Sequence, residues 1–162
     1  AGNDTGITFT ITGTTFAGSV TTDVVTGANI AAASSVVDFK TVTRIVTSGS
    51  TAADITVGTN GVAGTEWVRF DPWAPPEVSI QANVTGTVNY TLQQTLDDPN
   101  SPTDSVAVRS VVWVSSNDTA VVAATATQQS NYAFTPIYAR VLLNSGTGSV
   151  TTRFVQSGAA AL

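Results

Sequence analysis

The 162-residue chain has no histidine, no cysteine and no methionine, and its only lysine is Lys40. Without histidine it lacks the usual general base near neutral pH and the commonest metal ligand. Without cysteine it has no disulfide, no thiolate ligand and no thiolate nucleophile. An enzyme would have to run on carboxylates, hydroxyls and Arg alone, so no catalytic activity and no cofactor are expected. Charge is scarce as well: 10% of residues are charged, against about a quarter in an ordinary domain. The six basic residues (Lys40, Arg44, Arg69, Arg109, Arg140 and Arg153) are scattered singly in a chain of net charge −5. A surface that tracks phosphates needs such residues clustered, which argues against nucleic acid as a partner. No apolar run approaches the roughly 20 residues of a membrane helix, so no membrane partner is expected. The start, Ala1-Gly-Asn-Asp-Thr-Gly6, lacks the basic and apolar regions of a signal peptide. Whether a leader is removed before Ala1 stays open.

What the chain does have is 28 threonines and many valines, whose stiff β-branched side chains favour a pleated surface. Residues 7–12 read Ile-Thr-Phe-Thr-Ile-Thr, which puts Ile7, Phe9 and Ile11 on one face of a strand and threonines on the other. Residues 13–35 are rich in Gly, Ala, Ser and Thr, and read as an extended arm or long loop. Ala31–Ser35 is the one place for a short helical turn. Strand signals resume over 36–47, 54–58 and 66–70, with a tight turn at Asn60-Gly61. Val78, Ile80, Ala82 and Val84 alternate, Gly86 turns the chain, and Val88, Tyr90 and Leu92 alternate again, which reads as a tight hairpin. Further strands are expected over 106–115, 119–127, 137–143 and 149–155, with 128–136 as a connection. Segments 44–49 and 140–146, each with an Arg and a Ser-Gly turn before another strand, look like two similar hairpins. They reflect either convergence or an internal duplication. The expectation is an all-β fold, an antiparallel β-sandwich of jelly-roll or immunoglobulin-like type with about eight to ten strands. Residues 1–35 would form an extended strand and arm, either part of the same domain or reaching a neighbour, 36–157 the sandwich, and 158–162 a loosely held tail.

Two groups of residues stand out as site candidates. Asp97, Asp98 and Asp104 lie in a proline-broken loop and offer the hard oxygens that calcium takes, but without EF-hand spacing. The competing reading is a solvated turn. Trp67, Trp73, Trp113, Tyr132, Phe134 and Tyr138 are the interface candidates, because large aromatics are enriched where proteins meet. Trp73, in the loop Asp71-Pro-Trp-Ala-Pro-Pro76, is the one best placed to be presented outward, where it could stack on a sugar. The plainer reading is sandwich core for the others and, for Trp73, a plug at one end of the sandwich. The Asn-x-Thr triplets at Asn83, Asn89 and Asn117 are expected by chance in so threonine-rich a chain.

Four segments carry a resemblance: Val57-Gly-Thr-Asn-Gly61; Trp67-Val-Arg-Phe-Asp-Pro-Trp73; Gly86-Thr-Val-Asn-Tyr-Thr-Leu-Gln-Gln-Thr-Leu-Asp-Asp-Pro99; and Arg140-Val-Leu-Leu-Asn-Ser-Gly-Thr-Gly-Ser-Val-Thr151. Together they resemble a group of small β-rich virion structural proteins of tailed bacteriophages. The resemblance spans about the last two-thirds of the chain and rests on strand-and-turn patterns. It implies a virion location, no cofactor, a homo-oligomer, and the major capsid protein or other virion subunits as partners. Head decoration or cementing is the leading expectation, with the 13–35 arm reaching a neighbour. A tail- or fibre-associated glycan-binding module for host adhesion is the alternative, and a cell-surface adhesin or pilin-like subunit a third.

Overall fold

A computed structural model describes residues 2–59 and 62–158. The chain divides into two compact units, Ala1–Asn60 and Gly61–Leu162. Among the described residues there are eleven strands, all paired antiparallel, and two single-turn 3-10 segments. No helix is long and apolar enough to cross a membrane.

The first unit is a three-stranded sheet of β1 (Thr8–Thr15), β2 (Val20–Thr26) and β3 (Phe39–Thr47), in the order β2-β1-β3. Phe9 lies opposite Val25 and Ile11 opposite Ile45, so the expected apolar face forms. It is only half-buried. The threonine face puts Val24, Thr10 and Val46 in one cross-strand row. The arm expected over 13–35 does not form. Its residues complete β1, turn at Gly18 (φ +87°) and return as β2, because β-branched residues extending a ladder satisfy backbone groups that a free arm leaves to water. Residues 31–35 make no helical turn, and 54–58 make no strand. The boundary expected at 35/36 therefore falls inside this unit, whose end at Asn60 replaces it. The Asn60-Gly61 turn and the tail beyond Gly158 lie outside the described residues.

In the second unit two antiparallel sheets share one core. One sheet orders β4 (Ala63–Gly64), β10 (Tyr138–Gly146), β7 (Val88–Thr95) and β8 (Val114–Ser115), with β5 (Val68–Arg69) also on β10. The other orders β11 (Ser149–Gln156), β6 (Val78–Thr85) and β9 (Gln128–Tyr132). Val78, Ile80 and Ala82 of β6 meet Val88, Tyr90 and Leu92 of β7 and Ala139 and Val141 of β10 in the buried cluster. Each fully buried Leu or Val there contributes roughly 1.5–3 kcal/mol.

The expected hairpin at Gly86 is not one. β6 and β7 alternate as read, but they lie in opposite sheets, and so do β10 and β11. Residues 78–95 pair with 138–156 along almost their whole length. This antiparallel ribbon is folded across both sheets at two adjoining corners. At the corners Gly86 (φ +77°) and Gly146 (φ +114°) take backbone conformations closed to most side chains, and Gly148 N donates to Thr87 O at 2.9 Å. A Cβ on Gly146 would sit 2.3 Å from Thr87 O, so two backbones can pass only if that residue is glycine. Neither of the two look-alike hairpins exists: residues 54–58 make no strand, and β10 and β11 lie in opposite sheets. Residues 106–115 and 119–127 are mostly irregular, holding the two 3-10 turns (Val108–Ser110 and Thr119–Val121), whereas 128–132, read as a connection, is strand β9.

Candidate functional site

The interface aromatics divide into three groups. Trp67, Trp113 and Tyr138 gather on the outer face of the β10 sheet. Side chains two apart on β10 share a face, so Tyr138 and Arg140 point outward while Ala139 and Val141 enter the core. Trp67 packs edge-on to Trp113, with ring centroids 4.9 Å apart, and to Tyr138 at 5.8 Å. Arg140 lies over the Trp113 ring at 4.2 Å, and its Nε donates to Gln93 Oε1 at 3.0 Å. With only 8% of its surface exposed, this guanidinium replaces water with a π face and an amide oxygen. Three of the expected interface residues thus pack against one another. The plainer structural role suits them.

The acidic loop is tied to the same face. Asp98 Oδ2 accepts from Arg69 Nη2 at 2.7 Å, and its Oδ1 accepts from Asn100 N at 2.9 Å and from the Tyr138 hydroxyl at 3.4 Å. Asp97 Oδ2 accepts from Val112 N at 2.7 Å. Asp104 is exposed, and its N–H bonds to Ser101 Oγ at 3.1 Å. Each of the two inner carboxylates thus faces its own donor. Among the described residues no three acids converge into a cation site.

Tyr132 and Phe134 lie at the other end of the core. Tyr132 is buried against Phe70, with centroids 6.4 Å apart, and next to the partly exposed Phe134 at 5.7 Å. Burial raises the Tyr132 phenol well above its ordinary value, and its hydroxyl has no hydrogen-bond partner. Burial likewise raises Tyr90, which donates to Ala126 O at 3.1 Å.

Trp73 differs from all of these, being 94% exposed. Its loop is nonetheless well defined. Trp73 N donates to Asp71 Oδ1 at 2.9 Å and Ala74 N to Asp71 O at 3.2 Å. Gln156, at the end of β11, grips Asp71 from the other side, its Oε1 accepting from Asp71 N at 3.0 Å and its Nε2 donating to Asp71 O at 2.9 Å. Asp71 and Gln156 are 85 residues apart, and nothing local in the sequence marks Gln156 as the anchor. The Asx turn at Asp71-Pro72, by contrast, is legible. A tryptophan left in water forgoes on the order of 4–6 kcal/mol of burial.

A second surface that sequence reading missed lies in the first unit. Val20, Val24, Val42 and Val46 are all exposed, and Val37 is the one buried apolar residue among its described residues. Asp23 ties the return of the chain to the sheet, its Oδ2 accepting from Ser35 Oγ at 2.6 Å and Val36 N at 3.0 Å. Burial alone would raise its carboxyl, but the hydrogen bonds from Ser35, Val36, Val24 and Val37 outweigh this and hold it below its ordinary value.

No protein-family model, characterised protein or solved structure matches the chain.

Proposed function

We propose that the chain is a structural protein of a bacteriophage virion, most simply a head decoration or cement protein, acting through its surface and without catalysis. Its partners are the major capsid protein or other virion subunits, with copies of itself alongside. The observation that carries this reading is the first unit, a three-stranded sheet in which Val20, Val24, Val42 and Val46 stay exposed. Val24 and Val46 lie on the threonine face beside Thr10, and such exposed apolar side chains gain by burial under a second layer. Few charges oppose such a contact. On the threonine face, Arg44 is the charged residue lying opposite β1, beside Thr12. The sequence resemblance supplies the identity of the assembly.

The test is addition of the purified protein to particles of the encoding phage assembled without it. Wild type should bind to saturation at fixed sites. Replacing Val24 and Val46 together by Asp places two charges beside Thr10 in one row and should abolish occupancy, while the near-UV dichroism of the tryptophans in the second unit is unchanged. Full occupancy by the double variant would remove the first unit's sheet as the docking surface. No binding by wild type would remove the decoration role.

A further inference from the structure

We propose that Trp73 and the cleft beside it form a binding site for a neutral pyranose sugar, separate from the surface that would dock on a virion. Three observations meet at one end of the β11-β6-β9 sheet. Trp73 stands almost wholly in solvent on a loop fastened through Asp71 to Gln156. Such fastening removes the ordering cost that a mobile loop would incur on binding. Next, a cleft of about 270 Å³ opens three residues further on, lined by Pro76, Glu77, Ser79 and Asn131 among others. That is smaller than a drug-sized pocket of roughly 300–1,000 Å³, and it suits a single sugar ring. Tyr132, whose buried hydroxyl lacks a hydrogen-bond partner, lines the same cleft.

The chemistry of the surrounding face selects the ligand class. On the solvent side of this sheet the register sets Ser79 beside Asn131 and Gln81 between Gln129 and Arg153. Amides and hydroxyls both donate and accept, as sugar hydroxyls do. Two acids, Asp71 and Glu77, and one base, Arg153, leave a single net negative charge, which disfavours an anionic ligand. The flat indole supplies a stacking surface for the C–H face of a pyranose, the same use of an aromatic platform that retains planar bases. Proteins also dock on exposed tryptophans, but a hot-spot tryptophan sits within a broader apolar patch that excludes water. Here, among the described residues, Val155, opposite Ser79, is the one exposed large apolar side chain on a neighbouring sheet face otherwise carrying Ser79, Gln81, Gln129, Asn131 and Arg153, too little for such a patch.

The experiment is a titration of the full chain with methyl β-glucopyranoside, methyl β-galactopyranoside and lactose, followed by the indole N–H resonances and by tryptophan quenching. Saturable shifts at the Trp73 indole are expected with at least one probe, while Trp67 and Trp113 stay still. Binding in the millimolar range corresponds to about 4 kcal/mol. W73A should lose the response, and N131A should weaken it at least several-fold. Both residues are exposed, so the fold should tolerate the changes, and unchanged thermal unfolding checks this. No saturable shift with any probe up to its solubility limit overturns the proposal. So does binding confined to charged glycans, or a response that N131A leaves untouched. If W73A instead loses particle occupancy without any sugar response, the tryptophan is a protein contact and the sugar site is refuted. Occupancy defects confined to the Val24/Val46 variant leave this site standing, so the two readings fail separately.

Discussion

Gly146→Ala puts the folded ribbon to its sharpest test. At φ +114° an alanine is outside its ordinary backbone regions, and holding a residue in such a region costs about 1–3 kcal/mol. The added Cβ would also fall 2.3 Å from Thr87 O, 2.8 Å from Val88 Cα and 3.0 Å from Thr87 C. All three are backbone atoms, so no side-chain rotation relieves the clash and the two corners must move apart. That displacement strains the Gly148 N to Thr87 O bond and the pairing of Gly146 with Val88, a further loss of roughly 0.5–1.5 kcal/mol. The sum, about 2–4 kcal/mol, is a large part of the 5–15 kcal/mol that holds an ordinary domain together. Urea unfolding followed by tryptophan fluorescence reads it directly, since all three tryptophans lie in the second unit. Gly86→Ala should cost less, because its nearest clash is 3.2 Å from Gly148 Cα. Gly58→Ala, with nothing within 4 Å and no positive φ, should be near neutral. If Gly146→Ala unfolds at the same urea concentration as Gly58→Ala, the account of the corners is wrong.

Other consequences can be read from the same elements. Arg140→Leu removes the cation over Trp113 and leaves Gln93 Oε1 without its donor, so a loss of roughly 1–3 kcal/mol is expected with a change in near-UV dichroism. Arg140→Lys should recover only part of this, because an ammonium lacks the planar fork. Leu92→Ala, at a fully buried site, should cost about 2–5 kcal/mol by denaturation. In the first unit, the lowered Asp23 carboxyl adds stability that is present above its ordinary value of 3.8 and drains away as pH falls through the lower folded value. The protection factor of the Val36 amide, its intrinsic exchange rate divided by the observed rate at the same pH, should therefore fall on acidification in wild type. In Asp23→Asn it should be low throughout and should not change across that window. Trp73→Ala should move the unfolding midpoint by less than about 0.5 kcal/mol equivalent, as expected for a side chain that touches little.

Much of the strand content was legible because its cause is local. A period of two with β-branched residues marks β1, β6 and β7 wherever one reads them, and each places its alternating apolar residues on one face. Where the cause is not local, reading failed. The threonine-rich return strand β2 looks like a linker until β1 lies beside it. Residues 106–115 look like a strand, yet only Val114 and Ser115 find a partner. The aromatic candidates show the same division. Composition marks all six, but it does not separate Trp67, Trp113 and Tyr138, which pack on one another, from Trp73, which Gln156 holds out into water. Of the acidic loop, the sequence displays the carboxylates and hides their donors, Arg69 and the Val112 amide.

By itself, then, the sequence determined the secondary-structure class and the chemistry the protein must do without, since both follow from which side chains are present and how they alternate. Only the tertiary structure decided which strands pair. Gly86, Gly146 and Gly148 could have closed two hairpins, but their close backbone packing folds one long ribbon across two sheets instead. Tertiary structure also decided which apolar residues stay in solvent, because exposure depends on what the rest of the chain brings against a residue. No residue carries that information alone.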